Sequence, residues 1–148
     1  MKDGVPDVVV LVDHDPASSE VLEAMRERVA VGPARFCVLM TNPAAHEAHI
    51  VHAGRHDAVA ALRARLPGIV AAIEGAIGGQ VDAEVSIRHE PYDALEELML
   101  VRAVDEVIYS VMRNPLAARL HLDLGHRLAH LQLVVRDASK GRSAAPSG

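Results

Sequence analysis

A single α/β domain, a parallel sheet with helices packed on both faces, is the architecture this sequence predicts, and three observations predict it. Short β-branched runs alternate with longer helical patterns along the chain, as strand and helix units do. Val8 to Val12 is continuously apolar and stops at Asp13, which is how a strand buried on both faces reads. The segment DEVIYSVMRNPLAARLHLDLGHRLAHLQLVVRD reads as strand, tight turn, capped helix and strand with almost no spare residues. It sets a turn and a helix N-terminus at the carboxyl edge of the sheet, where α/β proteins bind anions and nucleotides.

Taken in order, Val8–Val12 is the first strand. Asp15 is placed to cap the next helix with Pro16 at its first position, and Val21, Leu22, Met25 and Val29 recur at helical spacing until Gly32-Pro33. Arg35–Met40 is the second strand, closed by Asn42-Pro43. His46 to His56 carries no clear period. Val59, Leu62, Leu66, Val70, Ile73 and Ile77 then form a helical face that stops at Gly78-Gly79, with Pro67 expected to kink or divide it. Val81–Ile87 alternates as a third strand. Pro91 opens a helix carrying Leu95, Leu98 and Met99, Val107–Val111 is the fourth strand and Leu131–Val135 the fifth. The tail 138–148 is rich in Ser, Gly and Ala and is expected to be disordered. Five strands alternating with four helices make a doubly wound sheet.

Composition narrows the function. The chain has 148 residues, enough to close one core without metals or disulfides. Aromatic residues are 2 % of the chain, so stacking platforms for bases are scarce, and a formal charge of −5 lacks the basic stripe that phosphate backbones need. Nucleic acid is not an expected partner. Cys37 is the one cysteine and sits inside the run FCVLM, where it reads as a small buried hydrophobe. No apolar run approaches membrane-spanning length, so a cytoplasmic protein without a membrane partner is expected. His46, His49, His52 and His56, and separately His126 and His130, have spacings that place histidines on one helical face. Without nearby cysteine or a full carboxylate set they read as solvated surface, and no metal site is assigned. GxSxG, phosphate-loop and Rossmann glycine motifs are absent, as is the Ser-Gly-Gly pattern of ATP pyrophosphatases. Glu90 and Asp105 read as helix-start and strand-start residues, so no catalytic residue is assigned and an enzyme is not expected.

Four segments in order carry a family resemblance. VVVLVDHDPASSEVLEAM resembles the opening strand, acidic turn and helix of a universal stress protein domain. HEPYDALEELMLVRAVDEVIYS is similar to that family's third helix and fourth strand, and LQLVVRD to its closing strand. The resemblance spans roughly residues 7 to 137. It implies a five-stranded parallel sheet of order 3-2-1-4-5 and a homodimer formed through the last strand, here at Val134 and Val135. It also implies ATP or another adenine nucleotide as ligand, with Asp13 near the adenine. The family's signature after strand four is Gly, two residues, Gly, nine residues, then Gly with Ser or Thr. This chain departs from it: Ser110 and Arg113 take the first two glycine positions and Asp123 the third, and Gly125 comes two residues late before His126. Glycines there let the backbone approach phosphate oxygens, so the cradle is missing. Asn114-Pro115 still makes a helix cap and first turn, with Arg113 beside it. Two functions follow as expectations. One is a dimeric stress-response regulator or adaptor with a degenerate nucleotide site and an unidentified protein partner. The other is a sensor of an adenine nucleotide or small anion at Asp13, Ser110, Arg113, Asn114 and Gly125.

Overall fold

The computed structural model describes residues 4–13, 15–41, 52–88, 90–110 and 134–138. Its elements run β1 (Asp7–Val12), α1 (Ser19–Val31), β2 (Arg35–Met40), α2 (His52–Ile77), β3 (Val81–Val85), α3 (Pro91–Met99), β4 (Glu106–Ser110) and β5 (Val134–Asp137). All strand pairs are parallel and the order is β3-β2-β1-β4-β5. The doubly wound α/β sheet expected from the sequence is therefore the observed fold.

Strand alternation divides the core into two layers. Val8, Val10 and Val12 of β1, with Phe36, Val38 and Met40 of β2, meet Val21 and Met25 of α1 and Val59, Leu62 and Ile73 of α2. Val9 and Leu11, with Cys37 and Leu39, meet Ala94, Leu95 and Leu98 of α3 on the other face. β1 lies centrally and Val8 to Val12 are at most 1 % exposed, which explains their unbroken apolar run. Cys37 is buried as expected.

Several boundaries differ from the sequence reading. α1 starts later, because Asp15 closes a turn of its own, accepting from the Ala17 N–H at 2.9 Å through Oδ1 and from the Ser18 N–H at 3.2 Å through its carbonyl. Ser18 is the N-cap residue instead. Pro67 does not divide α2, which runs through it. The proline is exposed, so the carbonyl it leaves without an amide partner faces water. Gly78 follows the helix at φ 78°, and its N–H donates to the Glu74 carbonyl at 2.8 Å, a helix stop that glycine makes without steric cost. β3 ends at Val85, since the Arg88 N–H donates to Ser86 Oγ at 2.9 Å and turns the chain. β5 continues past Val135 to Asp137. Glu90 is the N-cap of α3, accepting from the Asp93 N–H at 3.2 Å. Asp105 stands before β4 and accepts from the Asp7 N–H at 2.8 Å. The expected fourth helix, His46, His49, His126, His130, Val111 and residues 139–148 lie outside the described residues, whereas His52 and His56 fall in the N-terminal part of α2; Ala138 is buried. Among the described residues, no helix is long and apolar enough to cross a membrane.

The two sheet edges are treated differently. At β3, Glu74 Oε2 accepts from the Val81 N–H at 3.0 Å and Arg63 donates to the Val85 carbonyl at 3.3 Å. Two α2 side chains thus occupy outward backbone groups at both ends of that edge. At β5, Val134 is 64 % exposed. The Val134 N–H donates inward, to the Asp105 carbonyl at 3.4 Å, so alternation along the strand directs the Val135 N–H outward.

Candidate functional site at the carboxyl edge

Burying a polar group is unfavourable unless something hydrogen-bonds it, so the position of buried polar residues is informative. Among the described residues they are Asp13, Thr41, Ser86 and Ser110, between 0 and 9 % exposed. All stand at the carboxyl ends of adjacent strands. Val12, Met40 and Val85 lie at one level of the sheet, and Asp13, Thr41 and Ser86 are the residues that follow them. The ladder continues through this level: the Thr41 N–H donates to the Val12 carbonyl at 3.1 Å and the Ser86 N–H to the Met40 carbonyl at 2.8 Å. Ser110 pairs with Val12 from the other side.

This edge contains the point where the winding reverses, between β1 and β4, where doubly wound sheets open a crevice. Asp13 and Thr41 continue the alternation of Leu11 and Leu39, toward the α3 face, whereas Ser110 continues that of Ile108, toward α1 and α2. The row therefore straddles the edge. Ser86 Oγ is used in its own turn, and Asp13 and Ser110 have interaction partners. Thr41 Oγ1 is buried with no hydrogen-bond partner. An orphan hydroxyl costs on the order of 1–3 kcal/mol, which a polar ligand atom beside it would offset.

The structure brings two of the sequence-predicted site residues, Asp13 and Ser110, onto adjacent strands. Arg113, Asn114 and Gly125 lie outside the described residues. Thr41 and Ser86 were not foreseen. The signal was a hydroxyl directly after a strand, Thr after FCVLM and Ser after VDAEV, as Asp13 follows VVVLV.

Tyr109, level with Asp137 on β5, hydrogen-bonds its carboxylate; burial first, and the Asp137 charge second, push the phenol up to about 12. Cys37 lies in a cavity of about 150 Å³ toward the amino edge, with Arg102 and Asp82. Burial pushes its thiol up to about 11, the Arg102 charge offsetting only part of this, so it stays protonated and unreactive near neutral pH. Among the described residues no cluster of His, Cys, Asp and Glu has the arrangement of a metal site.

Compared with known proteins, the chain matches no family model and no curated sequence.

Proposed function

We propose that this protein is a universal stress protein-like regulator or adaptor, working as a homodimer through its last strand, with a nucleotide site that has lost its phosphate cradle. The observation that carries the reading is Ser110. It ends β4 beside the switch point, is 0 % exposed, and puts a buried side chain where the family's first glycine lets the backbone approach phosphate. The sheet order 3-2-1-4-5 supports the same assignment, and the exposed Val134 on β5 together with a guarded β3 edge supports pairing at Val134 and Val135.

Thr41 favours a second reading, a sensor in which the edge holds an adenine nucleotide or a small anion and the orphan hydroxyl makes one of its contacts. One experiment separates the two. Freshly purified protein is denatured and its released small molecules are identified by mass spectrometry, and ligand-free protein is then titrated with ATP, ADP and AMP by calorimetry. The adaptor reading expects neither a stoichiometric nucleotide nor binding heat. A stoichiometric nucleotide, lost on Thr41→Val, would establish the sensor.

A further inference from the structure

We propose that the groove between α3 and the edge strand β3 is the adaptor surface, and that it takes a short segment of a partner protein in which apolar and basic side chains alternate. The inference rests on the adaptor reading above and names the partner's chemistry.

The groove encloses about 340 Å³ and runs between Leu98 of α3 with Val101 just beyond it and Val85 at the end of β3 with Ile87 in the turn that follows. Glu97 also lines a second cleft, of about 600 Å³, along the outer side of α3. Large aliphatic side chains stand open here: Ile87 is 53 % exposed, and Leu100 and Val101 are 83 % exposed. Clustered exposure of this kind marks interaction surfaces.

Charge then selects the occupant. Glu84, Asp93, Glu96 and Glu97 line the two spaces. The guanidinium groups among them are engaged by the protein itself, Arg63 with the Val85 carbonyl at 3.3 Å and Arg88 with Glu97 at 3.6 Å. Four carboxylates against two guanidinium groups among these lining residues leave the surface net acidic, which favours a basic segment and opposes nucleic acid and anionic lipid. Strand addition is disfavoured because Glu74 and Arg63 hold the ends of the β3 edge, so recognition falls to side chains. α3 has nine residues; at about 1.5 Å per residue it is roughly 13 Å long, room for about four extended residues at ~3.3 Å each.

The test is fluorescence anisotropy of a labelled peptide alternating leucine and lysine, titrated with the full chain without nucleotide. Saturable binding is expected, weakened at least about threefold by Glu84→Lys and by Val101→Ser, both in the groove lining, and left unchanged by Glu20→Lys on α1. A peptide with serine in place of leucine should bind at least about tenfold more weakly. Val101 is too exposed for its replacement to disturb the core, and circular dichroism checks that each variant is folded. Equal binding of the serine peptide, equal weakening by Glu20→Lys, no effect of Val101→Ser, or a preference for phosphatidylglycerol vesicles would overturn the proposal. The groove meets the carboxyl edge at Ser86, but the two readouts are distinct: loss of peptide binding overturns the groove, and nucleotide binding heat overturns the degenerate site.

Discussion

At the scale of single residues, Thr41 joins stability to function. Its orphan hydroxyl is a local cost in the ligand-free protein, so Thr41→Val should stabilise the chain by about 1 kcal/mol, raising the melting temperature by roughly 2–4 °C for a chain of this size. Scanning calorimetry checks it, and a fall in melting temperature would show that the hydroxyl is satisfied in solution. Cys37 gives a pH signature. Its thiol is raised from an ordinary 9.0 to about 11 by burial, so the fold holds a proton that the unfolded chain releases. That contribution is complete below pH 9.0 and is lost as pH rises through about 11. Tyr109, raised from 10.0 to about 12, extends the loss further into alkali. Urea midpoints between neutral and alkaline pH should therefore decline, less steeply in Cys37→Ala than in the wild type; equal slopes would remove Cys37 as a cause. Asp13 enters the candidate site through the family resemblance, as the acidic residue that ends the first strand, and it is buried at the carboxyl end of β1. Thr41 was not legible in the sequence, since Asn42-Pro43 directly after it explained the end of the strand without it.

Among the elements, those with one strong period were the easiest to read. β1 and β2 declared themselves through continuous apolar runs, and α3 through Pro91 with Leu95 and Leu98. Misread boundaries came from local side-chain chemistry that competes with periodicity. Asp15 before Pro16 has the pattern of a cap, yet its carboxylate closes a turn on Ala17. Val81–Ile87 alternates throughout, but the Ser86 hydroxyl stops the strand. Pro67 is expected to kink or divide α2, yet with Leu62, Leu66, Ile69 and Ile73 packed on one core the helix is continuous through it. Pro67→Ala restores the missing amide and should stabilise the protein by about 1–3 kcal/mol, seen as a later urea midpoint; an unchanged midpoint would mean that the helix has already relaxed around its proline. α1 is tied to β4 by Arg28, which donates to both Glu106 carboxylate oxygens at 2.8 and 3.0 Å. Glu106→Gln leaves a largely buried guanidinium with a weaker partner and should cost about 1–2 kcal/mol by the same measurement.

For the whole molecule, alternation alone established a doubly wound sheet, and the order 3-2-1-4-5 entered only through the family resemblance, because periodicity does not say which strands are neighbours. The backbone also decides which substitution interrogates the proposed dimer. Val134 spends its N–H inward on Asp105, so the outward group belongs to Val135. Val135→Pro should release monomers in light scattering at concentrations where the wild type is dimeric. A variant that stayed dimeric would place the interface elsewhere. The other edge carries a different consequence. Strand-to-strand contact is self-propagating when both margins of a sheet are available, and Glu74 with Arg63 closes one of them. In the proposed dimer both closed margins face outward, so growth terminates after a single step and the product is a discrete particle instead of a filament. Two side chains on one helix would then act as the chain terminator of an otherwise open polymerisation.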